Sequence, residues 1–228
     1  MNKLFNNIIT LGKSFYGLII YFSVAYIFSY IIKSIPDMNS NLYNIFLILE
    51  ELTTLLLLVF VFRKRLKKDF IDFDKNYKKY LYLGFKVWLI GVIVMMISNN
   101  IIYYFATNSI ANNQSINMSV MNKYPLYSLI AMVMAGPFIE EIVFRLSFKN
   151  VLKNKALYYI LSVLIFTSLH VFNGITSPIE LLYFIPYGAL AVSFSYILDK
   201  TDNIYTTAII HTCHNALSVV LITVAGLF

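Results

Sequence analysis

The sequence predicts an all-α fold: a polytopic transmembrane helix bundle of about seven spans. Three observations carry that expectation. Of the 228 residues 59% are hydrophobic and only 13% charged, against roughly 25% charged in a soluble domain. The deficit is concentrated in long uncharged runs such as 52–62 and 87–105, and about 20 apolar residues suffice to cross a bilayer as a helix. The basic residues gather between these runs, above all as Arg63, Lys64, Arg65, Lys67, Lys68, Lys75, Lys78 and Lys79.

The apolar runs and their polar boundaries place helices at approximately 14–34, 41–62, 81–105, 127–150, 156–173, 179–198 and 204–227. The first is read as retained, because Phe15 to Ile32 exceeds a signal-peptide core and no A-x-A-like site follows. Basic residues mark cytoplasmic loops, so 63–79 is expected inside. The chain is then a multi-pass cell-membrane protein with a cytoplasmic N-terminus and an external C-terminus. All of the 18 Lys and Arg except Lys33, Lys123, Lys86 and Arg145 fall at the cytoplasmic side in this arrangement. The same charge pattern is compatible with an eighth, re-entrant segment. The stretch 106–126 is rich in Asn and Ser and is expected to be an external loop, a mobile lid or spacer. The chain reads as one membrane domain, with N-terminal helices and loops in 1–126 and site-bearing helices in 127–228.

The formal charge of +7 does not indicate nucleic acid, since the basic residues lie at helix ends and no nucleic-acid motif accompanies them. Membrane lipid is the expected partner instead. Cys213 is the sole cysteine, so no intrachain disulfide forms.

Charges within spans cost roughly 2.5–3.5 kcal/mol each on insertion scales and need a reason. The fourth helix carries Pro137, Glu140, Glu141 and Arg145. Glu141 and Arg145 are four apart, share a face and can pair. Glu140, about 100° around the helix, is free to face a different neighbour. Pro137 removes a backbone donor and is expected to kink the helix. His170 lies on the fifth helix, and His211, His214 and Asn215 on the seventh. His211 and Asn215 share a face, whereas Cys213 is about 200° from His211 and is assigned to packing.

Depth tests whether these groups can meet. At 1.5 Å per residue, Glu140 lies about 15 Å from the cytoplasmic end of its helix, His170 about 20 Å, and His211 and Asn215 about 10–17 Å. Three helices thus place polar residues in one layer. A buried glutamate can act as general base toward water, with amide or imidazole N–H groups stabilising the oxyanion. The alternative is zinc held by Glu140, His170 and His211 with an open position for water; spacing does not choose between them. Glu50 and Glu51 form a second, unassigned acidic pair.

These motifs, Glu140-Glu141-x-x-x-Arg145, Phe166-x-x-x-His170 and His211-x-x-x-Asn215 in that order, resemble the signature of the CPBP family, which comprises CAAX proteases and bacteriocin-processing enzymes. Residues 188–204 resemble the segment preceding the family's last His motif. Leu146 departs from the glycine that many members have after the arginine. The resemblance implies an intramembrane endopeptidase with Glu140 as base, Glu141 and Arg145 in support, His170, His211 and Asn215 completing the site, and Phe166 and His214 beside it. Members have been treated as metalloproteases and as metal-free glutamic proteases; the latter is the expectation here, with no cofactor required. The alternatives are a non-catalytic scaffold or bacteriocin self-immunity protein, and a small transporter using Glu50, Glu51 and Glu140.

Overall fold

The computed structural model describes residues 15–224 as an all-α membrane helix bundle, with no strand among them. The helices are α1 (Tyr16–Ser34), α2 (Ser40–Ile102), α3 (Asn112–Lys123), α4 (125–149), α5 (Lys155–Phe172), α6 (Phe184–Thr201) and α7 (Ile204–Val224). Five helical stretches are long and apolar enough to cross a membrane. Expectations for residues 1–14 and 225–228, including the sides on which the termini lie, fall outside the described residues.

Residues 63–79 are not a loop. They are the helical middle of α2, which runs unbroken through 63 residues. Straight, it would be about 95 Å long, some three times a bilayer core. Its contacts show that it bends back instead. At its start Ser40 and Tyr43 meet Tyr124, and at its end Ile102 packs with Val171 and Tyr183. Arg65, midway, meets Asn150 and Asp202 at the other end of the bundle. The two apolar limbs therefore both run the length of the bundle, and the charged middle turns beneath it.

A polar latch holds this basic end together. Arg65 donates to Asp202 through Nη2 (2.6 Å to the carbonyl, 2.9 Å to the carboxylate) and pairs with Asp69 at 2.7 Å. Asn203 Nδ2 donates to the Asp69 carbonyl at 2.6 Å and to Asp72 Oδ2 at 3.1 Å. Its Oδ1 accepts the backbone N–H groups of Tyr205 and Thr206 and so caps α7. Desolvation raises the Asp72 carboxyl, but hydrogen bonds from Tyr80, Asn203 and Asn76 outweigh it and hold the group below the usual carboxylate range. Small residues let the second limb of α2 approach its neighbours closely: a Cβ on Gly91 would meet Ser193 of α6.

The stretch 106–126 also differs from expectation. It contains the twelve-residue helix α3, fastened to the turn after α5 by Asn112, which donates to the Gly174 carbonyl at 2.8 Å. Nor is α4 a uniform helix. It includes two π-helical stretches, Leu129–Met134 and Ile142–Leu146. The break expected at Pro137 is centred just ahead of it, where Ala135 N–H bonds to the Ile130 carbonyl, five residues back. Gly136 suits that point because a Cβ would collide with the Ala131 carbonyl.

Candidate functional site

The second π-helical stretch of α4 begins next to Glu141, and π-turns are frequent at functional sites. Glu141 and Arg145, both fully buried, pair at 3.2 Å. The Arg145 guanidinium lies 4.0 Å from the Phe166 ring and 5.6 Å from that of Phe194. Aromatic faces attract a desolvated cation, so the guanidinium is held by one carboxylate and two rings.

The same Glu141 oxygen accepts from His211 Nδ1 at 2.8 Å. A carboxylate only accepts, so Nδ1 carries a proton, and in the singly protonated tautomer Nε2 is left as an acceptor. Phe194 stacks on the ring at 4.4 Å and 24°, fixing its plane. His211 Nε2 then lies 3.7 Å from Glu140 Oε2, a buried oxygen with no hydrogen-bond partner. Two acceptors cannot bond directly to each other. Glu140 thus faces the same histidine as Glu141, not the separate neighbour expected from their 100° offset.

His170 Nδ1 bonds to the Phe166 carbonyl at 2.9 Å. A carbonyl only accepts, so Nε2 is again the free acceptor. Asn215 donates to the Met132 carbonyl at 2.8 Å, which occupies one of its two N–H bonds. That carbonyl sits in the first π-helical stretch of α4, where shifted hydrogen bonding turns a backbone group toward a neighbouring helix. His214 lies beside Trp88 and Phe194.

Glu140, His170, His211, His214 and Asn215 all line one cavity of about 630 Å³, while Glu141 and Arg145 stand behind its wall. The zinc alternative fares differently. Among the described residues no three His, Cys, Asp or Glu groups come together as metal ligands, while the His211 Nδ1 bond to Glu141 is of the kind that metal-ligating histidines also make and leaves Nε2 toward the cavity.

Glu50 and Glu51 are half-buried on α2 and do not line the cavity. Cys213 is exposed on α7 and is not packed in the core. Sequence reasoning missed Phe194 and Tyr187, whose ring lies 5.3 Å from that of His170. They are seven residues apart, two turns on one face of α6, and that spacing was the available signal.

Comparison with known proteins converges on the same segment. The family described as Type II CAAX prenyl endopeptidase Rce1-like matches residues 122–217, which contain every group just described except those of α1 to α3. The chain is 36% identical over 103 residues to the UPF0177 protein YbdI of Lactococcus lactis subsp. lactis (strain IL1403). That similarity covers 42% of this chain and 57% of the relative, so the match spans little more than half of its length. No solved structure matches. Residues 122–217, with their Glu-Glu-Arg, Phe-His and His-Asn helices, are thus similar to the Rce1-like CAAX-protease family over less than half of the chain.

Proposed function

We propose that the protein is an intramembrane endopeptidase in which Glu140 activates water. The supporting observation is the facing pair of acceptors, Glu140 Oε2 and His211 Nε2, 3.7 Å apart on the wall of a cavity large enough for a peptide segment. A water between them donates one hydrogen to each. As its oxygen attacks a peptide carbonyl, Glu140 takes a proton and the N–H of Asn215 not used by Met132 faces the developing oxyanion. Collapse of the tetrahedral intermediate breaks the C–N bond, and Glu140 returns the proton to the leaving amine. Glu141 and Arg145 orient His211 from behind and touch no reacting atom.

In this reading the basic end of the bundle faces the cytoplasm, as the positive-inside rule requires, and the substrate is a membrane-associated peptide or protein. The test is a panel of membrane-tethered peptides given to purified wild type and to Glu140→Ala. Wild type should cleave members of the panel and the variant should not. Equal cleavage by both removes Glu140 from the reaction. Full biological activity of both Glu140→Ala and His211→Ala would return the chain to the scaffold or self-immunity reading.

A further inference from the structure

The cavity is lopsided. Measured along α7 from Ile204 at the basic end, His211 is about 10 Å in and Ile222 about 27 Å, and both line it. No residue of 60–80 or 199–206 does so. At that end Asp69 and Asn203 are buried and hydrogen-bonded to each other's elements, which closes the direct route to the site. Beyond the His211 layer the cavity continues toward α3, whose residues Asn113, Ile116, Asn117 and Val120 form a single helical stripe along its wall, with Gln114 alongside.

The chemistry of the lining is equally one-sided. Six carboxamides, Asn99, Asn113, Gln114, Asn117, Asn173 and Asn215, line the cavity, and among the described residues Glu140 is its only Asp, Glu, Lys or Arg. Asn113 is held by Tyr187 (3.2 Å) and Asn173 (3.3 Å), and Tyr187 in turn lies against His170. The side chains of Gln114 and Asn117 have no protein partner in hydrogen bonding among the described residues. A carboxamide both donates and accepts, the complement of a peptide backbone. With no Lys or Arg among the described lining residues, the cavity offers no fixed positive charge to a terminal carboxylate.

Resting on the peptidase reading, we propose that α3 is the substrate-binding wall. An internal, uncharged stretch of peptide enters from the end opposite the basic latch. Gln114 and Asn117 hydrogen-bond its backbone and guide it to Glu140. Recognition is of an extended chain segment, not of a free C-terminus.

The test uses the full chain in a Cys213→Ser background, with Asn117→Cys or Lys67→Cys added. Sealed vesicles of known orientation are treated with a membrane-impermeant maleimide. The two cysteines should label from opposite faces. In detergent, maleimide on the cysteine at 117 should abolish cleavage of a pool of N-acetylated, C-amidated peptides, whereas maleimide at 67 should leave it unchanged. A matching pool with free C-terminal carboxylates should be cleaved no faster than the amidated one. Labelling of both cysteines from one face, undiminished cleavage after modification at 117, or dependence on a free carboxylate overturns the α3 proposal alone. If wild type cleaves neither pool while Glu140→Gln matches it, the peptidase reading fails and this proposal falls with it.

Discussion

Removing Arg145 should destabilise the protein strongly, and removing Glu141 with it should restore most of the loss. Both side chains are fully buried and pair at 3.2 Å, and the three guanidinium nitrogens have no hydrogen-bond partner. Arg145→Met leaves a buried carboxylate, and breaking such a pair costs about 3–5 kcal/mol. His211 remains as a donor at 2.8 Å, so the expected loss is at the lower end, about 3 kcal/mol. Glu141→Gln keeps an acceptor for His211 but leaves the guanidinium with only Phe166 and Phe194, and an unpaired buried charge again costs about 3 kcal/mol or more. The double variant contains neither charge. Its loss should be at least about 2 kcal/mol smaller than the sum of the single losses, within the range of coupling seen for residues in contact. Reversible unfolding in mixed micelles, monitored by circular dichroism over a denaturing-detergent titration, measures all four corners of the cycle. Losses that add to within about 0.5 kcal/mol would refute the ion pair as the support behind His211.

Three further outcomes follow from the latch and the break in α4. Asn203→Ala removes the cap of α7 and strips the buried Asp69 carbonyl of its donor; the combined loss should be about 2–4 kcal/mol in the same titration. Gly136→Ala forces a Cβ onto the Ala131 carbonyl, a backbone atom that cannot swing aside, and should cost about 1–3 kcal/mol, read as a lowered Tm. Asp72 has a depressed folded-state pKa, so its contribution to stability is present above the unfolded value of about 3.9 and is lost as pH falls through the lower folded value. The Tm gap between wild type and Asp72→Asn should accordingly be constant near neutrality and close below about pH 4. A gap that persists in acid would contradict the assignment.

The helical positions of the site groups were legible because they depend on local periodicity. Glu141 and Arg145 at four-residue spacing do pair, and the common layer of Glu140, His170, His211 and Asn215 becomes one cavity wall. What could not be read was which neighbour each glutamate meets. Adjacent residues differ by about 100° on a helix, but rotation alone does not say how far a histidine on another helix reaches. His211 in fact lies between both carboxylates, bonded to Glu141 and facing Glu140. The π-helical stretches were invisible for a related reason: they depend on a one-residue shift in backbone bonding, which Pro137 and Gly136 signal only locally. The charged run 63–79 reads as a loop by composition, yet Leu66, Asp69 and Asp72 fall on one helical face that meets Asn203 and the core. Tertiary partners thus keep it helical. The polar stretch 106–126 was misread in the same way, since the amides that suggested a loop line a cavity instead.

The central claim is that Glu140, and not the buried Glu141, moves the proton. The direct measurement is the rate of peptide hydrolysis by wild type, Glu140→Gln and Glu141→Gln at matched folded concentration. Glu140→Gln should lose about 10²–10⁴-fold in kcat, the usual contribution of a positioned general base. Glu141→Gln, which keeps an acceptor for His211 Nδ1, should lose less than Glu140→Gln. A Glu140→Gln enzyme that hydrolyses peptides at the wild-type rate would contradict the account.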